Sequence, residues 1–367
     1  MNPKFWRGRH VLITGHTGFK GSWLCLWLTS LGATVHGYAL SPPTDPSLFE
    51  VAKIGDLIAS SEIADIRDSE ALSAALRRTC PEIVFHLAAQ PLVRYSYRAP
   101  LETYEVNVMG TLHLLEAVRQ CDSVRAVVNV TSDKCYDNVE WVWGYRETDA
   151  LGGKDIYSGS KGGAELVIKS YLHSFFQSSN SPVRLAVGRA GNVVGGGDWA
   201  KDRIVADVYR AWNVGKVVEI RSPAATRPWQ HVLEQLSGYL NLGMSLAKNE
   251  LLHGEAFNFG PRAEQAKTVV ELLGDLSHRW GFATTKEAYS VVDNIPFKEA
   301  GLLKLNCDKA LFHLGWEPTL NYLETVDLIS EWYGAFYKKS EVVNLTNSQL
   351  EGYSKLAKAR ERKWAEQ

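Results

Sequence analysis

His10-Val11-Leu12-Ile13-Thr14-Gly15-His16-Thr17-Gly18-Phe19-Lys20-Gly21 is an apolar run that passes directly into three glycines spaced three apart. The run reads as a buried strand, and the apolar stretch from about Lys20 to Ser30, closed by Gly32, as a helix. A second strand, Thr34 to Tyr38, completes a strand, turn, helix, strand unit. Glycines at this spacing serve a tight turn, close backbone approach to a pyrophosphate, and close packing of helix on strand. The helix N-terminus then turns its unpaired N–H groups to the phosphates. The loop thus predicts a dinucleotide site on Gly15, His16, Thr17, Gly18, Phe19, Lys20 and Gly21. Phe19 anchors the loop in the core, whereas His16 and Lys20 read as solvated side chains, Lys20 also being able to meet a phosphate.

Working outward, Ile83 to Ala89 and Val124 to Val130 are further apolar runs, each preceded by a helical stretch, and Val183 to Val187 is one more strand. Leu101 to Gln120 and Ala164 to Phe176 have helical spacing. The alternation predicts an α/β fold, a Rossmann-type doubly wound parallel sheet over residues 1–188. Gly195-Gly196-Gly197-Asp198 marks a change of organisation. Beyond it, helices 203–213, 232–248 and 269–280 alternate with strands 217–220 and 256–260. We expect a smaller mixed α/β substrate domain over 189–335, with some later segments returning to the first domain. Residues 336–367, charged and weakly periodic, read as a peripheral helix or a frayed end.

The 367 residues carry 40 Lys and Arg against 41 Asp and Glu, a formal charge of −1. No global field recruits nucleic acid or a membrane surface, so an anionic ligand needs a local cluster of cations and amides. The 5 cysteines are scattered, without CxxC pairs or histidine partners, which excludes a disulfide framework and a zinc site and leaves metal: none as the expectation. No apolar run reaches the roughly 20 residues of a membrane span, so a cytoplasmic protein is expected. The sequons at Asn129 and Asn344 read as chance.

Tyr157-Ser158-Gly159-Ser160-Lys161 supplies the chemistry. A phenol and an ammonium four residues apart share one helix face, so Lys161 can stabilise the phenolate of Tyr157 and lower its pKa. Tyr157 then suits removal of an alcohol proton near neutral pH. No acid ends the second strand, which reads His36-Gly37-Tyr38-Ala39-Leu40-Ser41; no Arg stands there for a 2′-phosphate either, which favours NAD over NADP. Asp65 and Ile66, after the third strand, are placed to contact an adenine.

Thr14-Gly-x-Thr-Gly-Phe-x-Gly21, His86-Leu-Ala-Ala-Gln90, Asn107-Val-x-Gly-Thr111, Thr131-Ser-Asp-Lys134, Tyr157-x-x-x-Lys161 and Arg189-x-x-Asn-Val-x-Gly195 occur in this order. Over residues 8–335 the chain resembles the extended short-chain dehydrogenase/reductase family, in particular the nucleotide-sugar 4,6-dehydratases. Trp143-Gly-Tyr-Arg-Glu147, Gly195 to Arg203 and Arg227-Pro-Trp-x-His-Val232 look most like the branch acting on CDP-glucose in bacterial dideoxysugar and O-antigen synthesis. The resemblance implies that Tyr157 takes the C4 hydroxyl proton while hydride passes to NAD, and that Ser132 and Lys161 fix the substrate oxygen and the ribose. Water then leaves from C5 and C6, with Asp133 protonating the C6 hydroxyl, and hydride returns to C6. Leu87, Ala88, Ala89, Asn107 and Thr131 are implied along the cofactor, Asn107 also supporting the active-site helix. Gln90 and Val93 are implied around the sugar, and Asn192, Arg203, Arg227 and His231 around the rest of the substrate, with Arg227 on its pyrophosphate.

One position departs from the family pattern. Where many 4,6-dehydratases carry a Glu that removes the C5 proton, this chain has Lys134. Either its pKa is depressed enough to act as a base, or it stabilises the enolate while Tyr157 or water carries the proton. The alternatives are an epimerase, a dehydratase of GDP-mannose, dTDP-glucose or a UDP-sugar, and a non-catalytic dinucleotide sensor. An epimerase has no need of an acid at 133, and a sensor typically lacks the Tyr or the Lys. The helices 101–120 and 164–176 are candidates for pairing in a homodimer or homotetramer, as is common in the family.

Overall fold

The computed structural model describes residues 1–178, 181–220, 222–262, 265–292 and 302–366. Seven strands share one sheet: β1 His10–Thr14, β2 Thr34–Ala39, β3 Ser60–Ile63, β4 Ile83–His86, β5 Ala126–Val130, β6 Arg184–Ala190 and β7 Ala256–Phe259. Their order is β7-β6-β5-β4-β1-β2-β3, and every neighbouring pair is parallel. Strand order reverses between β1 and β4, the doubly wound topology that opens a crevice at the carboxyl ends of those strands. β1 explains why both faces are covered. Val11 and Ile13 point to one side, among Trp23, Leu24, Leu236 and Leu240 of helices α1 (Phe19–Ser30) and, later in the chain, Val232–Lys248. Leu12 points to the other, among Leu72 and Leu76 of α2 (Ser69–Thr79), Leu114 of α3 (Gly110–Arg119) and Ile168 of α4 (Ile156–Tyr171).

Several elements differ from the expected bounds in ways that shape the site. The run expected as strand 83–89 stops at His86. Leu87 N–H still donates to the Thr14 carbonyl, after which the chain bends over the glycine loop and the Ala88 N–H donates to Thr14 Oγ1 at 3.2 Å. The helix expected over 101–120 runs from Pro100 to Arg119, but Glu105–Met109 is π-helical, a local widening that often marks a functional side chain. α4 starts at Ile156, so the Tyr157 segment and the run from Ala164 form one helix, and the Asp155 carboxylate caps it by accepting from the Ser158 N–H at 3.0 Å. Tyr157 and Lys161 therefore lie in its first two turns.

β7 comes from the C-terminal half, as expected of a segment returning to the sheet. Helices α5 (Ile204–Trp212) and α6 (Val232–Lys248), the helices Val269–Trp280 and Asp308–Leu314, and three small strand pairs, among them Thr226–Pro228 with Ala266–Thr268, also lie in that half, followed by α7 (Tyr322–Tyr337). The residues after Lys338 are neither frayed nor peripheral. They form α8 (Val342–Ala359), which buries Val342, Leu350, Tyr353 and Ala357. The Tyr353 and Trp364 rings stack at 5.8 Å, and each meets Trp27 of α1 edge-on. The Tyr353 hydroxyl donates to the buried Glu234 carboxylate of α6 at 2.8 Å. Among the described residues no helix is long and apolar enough to cross a membrane.

Candidate active site

The glycine loop is built by the absence of side chains. Gly15 has φ +80°, and a Cβ there would lie 2.8 Å from the Ala88 nitrogen. At Gly21 an added Cβ would lie 2.1 Å from the Gly15 carbonyl oxygen, so helix and loop touch backbone to backbone. The cradle leaves the N-terminus of α1 open behind Gly18, whose N–H donates to Gly15, and this fits a dinucleotide pyrophosphate.

His16 is not solvated. Its ring is fully buried against Gly37, where a Cβ would come within 2.3 Å of it, and its Nε2 pairs with Ser61 Oγ at 2.7 Å. Burial pushes its pKa down to about 4, so the ring is neutral. Thr17 Oγ1 donates to the Leu40 carbonyl at 2.8 Å, and half-buried Phe19 packs on the core as expected. The carboxylate of Asp65 is held by Arg67 at 2.7 Å, which keeps it below its usual range, and Ile66 packs against Gly110. Neither side chain stands free beside the crevice.

The carboxyl ends of β5 and β6 and the first turns of α4 carry the candidate reactive groups. Ser132, Asp133, Tyr157 and Lys161 are all buried. Ser132 Oγ donates to Asp133 Oδ1 at 2.9 Å and also reaches the Tyr157 phenol. Lys161 Nζ lies 5.8 Å from the centre of the Tyr157 ring. Burial pushes the phenol up to about 12, against the pull of Arg203 and Ser132. The lowering expected from Lys161 comes here from Arg203 and Ser132 instead, and desolvation outweighs it. Lys161 is itself pushed down to about 8 by burial, with Cys135 and Glu165 opposing. Lys134 Nζ stands between Asp133 Oδ1 at 3.8 Å and Asn192 Oδ1 at 3.5 Å.

Lys20 was expected in solvent and turns inward instead. Burial and the charge of Arg203 push its ammonium down to about 7; Asp133 opposes them, and Lys161 and Lys134 add to the lowering. Four cations therefore lie close together with two carboxylates, Asp133 and the buried Asp198 beside Lys20 and Arg203, a recess whose excess of positive charge suits an anionic ligand. Arg203 enters it from the N-cap of α5. A cavity of about 240 Å³ opens beside Gly191, walled by Trp143, Pro228, Pro261 and Leu305. Gly191 joins cavity and recess, since a Cβ there would lie 3.0 Å from Asp133 Oδ2.

The remaining expected residues divide. Asn107 Oδ1 accepts from the Gln90 N–H at 2.8 Å, and its Nδ2 donates to Ser160 Oγ at 2.9 Å, so the π-helical turn joins the β4 loop to α4. Gln90 turns its amide to Thr103 Oγ1 at 2.9 Å, and Val93 opens the short helix Val93–Arg98. Ala88 abuts Gly15, with half-buried Leu87 and Ala89 in the same turn. Arg227 lies on the strand Thr226–Pro228 and donates to the Thr226 carbonyl. His231 is not brought to the recess: it is fully buried, caps α6, and packs edge-on against Trp23. Thr131 turns its hydroxyl away from the crevice, donating to Glu165 Oε1 at 2.6 Å.

That last contact belongs to a network that sequence reasoning missed. Arg189 of β6 grips Glu165 of α4 through two bonds of 2.8 Å and also donates to Tyr136 Oη at 2.9 Å; Tyr136 Oη donates in turn to Asn258 Oδ1. Two signals were available: an Arg inside an apolar strand, and a Glu four residues after Lys161 on the buried face of the helix. Among the described residues no group of three or more His, Cys, Asp and Glu could hold a metal ion.

A family model described as GDP-mannose 4,6 dehydratase matches residues 12–329. The chain is 50% identical over 358 residues to a CDP-glucose 4,6-dehydratase of Salmonella typhimurium, covering 96% of this chain and 98% of that one. It is 25% identical to a CDP-paratose 2-epimerase of Salmonella typhi, covering 88% of this chain and 98% of that one. In fold it resembles the dTDP-glucose 4,6-dehydratase of Streptomyces venezuelae, solved with NAD bound, with a TM-score of 0.76, 22% identity and coverage of 91% and 99%. With the match spanning both the glycine loop and the Tyr157 helix, the chain belongs to the GDP-mannose 4,6 dehydratase family.

Proposed function

We propose that this enzyme converts CDP-glucose into CDP-4-keto-6-deoxyglucose with NAD as a resident cofactor. The observation that carries this reading is the 50% identity to a CDP-glucose 4,6-dehydratase across 96% of the chain. The geometry of the recess is consistent with it. The chemistry that NAD supplies when bound is a two-electron acceptor and donor, so the sequence of steps closes without net redox change.

In this reading Gly15, Gly18 and Gly21 bring backbone against the pyrophosphate, and Lys161 holds the ribose. Tyr157 takes the proton of the C4 hydroxyl, with Ser132 bonded to the same oxygen. Asp133, buried and bonded to Ser132, is the acid that protonates the departing C6 hydroxyl. Lys134, between Asp133 and Asn192, suits a cation that stabilises the enolate formed at C5, leaving Tyr157 or water to carry the C5 proton. Arg203 and Arg227 hold the substrate pyrophosphate, Arg203 from its place in the cationic recess. Residues 189–335, apart from β7 and the sheet-covering α6, form the substrate half. We place the protein in the cytoplasm as a homodimer or homotetramer, in dideoxysugar synthesis for O-antigen.

The test is incubation with NAD and each of the CDP-, dTDP-, GDP- and UDP-hexoses, followed by mass detection of the loss of one water. Loss from CDP-glucose is expected. Loss from another nucleotide sugar alone overturns the base assignment, and no loss from any of them overturns the dehydratase reading.

A further inference from the structure

Thr131 and Glu165 are 34 positions apart and have no place in the chemistry above, yet their side chains meet in the interior at 2.6 Å. Three segments carry the reactive groups: the end of β5 with Ser132 and Asp133, helix α4 with Tyr157 and Lys161, and the turn after β6 with Gly191 and Asn192. Glu165 is the point at which all three are tied. It sits one turn beyond Lys161 on α4, accepts from Thr131 next to Ser132, and accepts two bonds of 2.8 Å from Arg189, two residues before Gly191. Both members of the ion pair are buried, so each needs the other and neither can turn to water. Arg189 extends the tie to the Glu147 carbonyl at 3.0 Å.

Bond directions add a further point. Both carboxylate oxygens of Glu165 receive donors, Oε1 from Thr131 and Arg189 Nε, Oε2 from Arg189 Nη2. A carboxylate fixed at both oxygens cannot rotate, so the Thr131 hydroxyl, and Ser132 after it, has one position relative to α4. We infer that Glu165 is a positioning residue for the dehydration, setting through Thr131 the placement of Ser132 and Asp133 opposite Tyr157. The inference rests on the reaction assigned above.

The test begins with Thr131→Val, which keeps the shape and removes only the donor to Glu165. We expect kcat on CDP-glucose to fall about tenfold, with KM within twofold, because a small misplacement of reacting groups acts on the chemical step. Thr131→Ser, which restores the hydroxyl, is expected to return kcat to within threefold of the parent. A Thr131→Val protein with the parent kcat, or a Thr131→Ser protein as slow as Thr131→Val, overturns the inference. Glu165→Gln is less informative because loss of the partner of Arg189 endangers folding. A crystal structure of Thr131→Val gives a readout independent of substrate: Ser132 and Asp133 are expected to shift relative to Tyr157 with α4 in place, and an unmoved Ser132 counts against the tie. If the parent protein fails to dehydrate CDP-glucose, the reaction assignment falls and the crystallographic comparison alone decides this one.

Discussion

The β1 end and the β5–β6 end of the sheet face the same crevice but are constructed in opposite ways. At β1 the site is made by removing atoms: Gly15 and Gly21 let backbone meet backbone at distances that a single Cβ forbids. At β5 and β6 it is made by adding charge: Glu165 and Arg189 inside, Asp133, Lys134 and Lys161 at the rim. The difference follows from the tasks. An anionic backbone ligand is held by N–H groups that need empty space, whereas proton transfer needs side chains whose charge states are set by neighbours.

The contrast predicts two kinds of failure. At the glycine end, binding and folding should fail together. Gly21→Ala places a carbon against the Gly15 carbonyl with no flexible side chain to yield, and should lower stability by about 3 kcal/mol and raise the Kd for NAD at least about tenfold. Denaturant unfolding and calorimetric titration check both; an intact Kd would show that the loop can adjust. At the charged end, rate should fail alone. Tyr157→Phe should cut kcat by about 10² to 10⁴ with NAD binding and melting temperature nearly unchanged. A variant that keeps its rate removes Tyr157 from the chemistry.

A smaller effect sharpens the charged end further. Lys161 is surrounded by Tyr157, Cys135, Glu165, Lys20 and His86, and burial brings it down to about 8. Its cation is present below that pH and lost above it. kcat/KM should therefore fall above about pH 8, and Lys161→Arg, whose guanidinium keeps its proton, should lose that alkaline limb even where its plateau is lower. An unmoved limb would assign it to another group.

The glycine end was legible because its signals are local: strand, loop and helix follow within 21 residues, and the three glycines carry their own explanation. Even there His16 misled. Its burial depends on Gly37 in the next strand, a pairing that a reading of the loop alone does not suggest. The residues proposed to react were legible as motifs, Tyr157 with Lys161 above all. What supports them was not, since Thr131, Glu165 and Arg189 meet only once three segments lie side by side. His231 illustrates the converse: a histidine in a recognisable segment proved to be a buried helix cap. α8 reads from the sequence only as a peripheral helix or a frayed end because its buried positions are few and lie among charged ones, which weakens the period on which helix reading rests.

Trp27 lies on the cofactor helix, yet the rings that cover it, Tyr353 and Trp364, come from the other end of the chain, as the partner strand of β6 comes from residues 256–259. This sets a rule for making chimeras. Exchanging residues 1–188 between relatives would part Trp27 from both rings, β6 from β7 and β1 from α6, so a graft of the first half must carry Val232–Lys248, Ala256–Phe259 and Val342–Trp364 along with it.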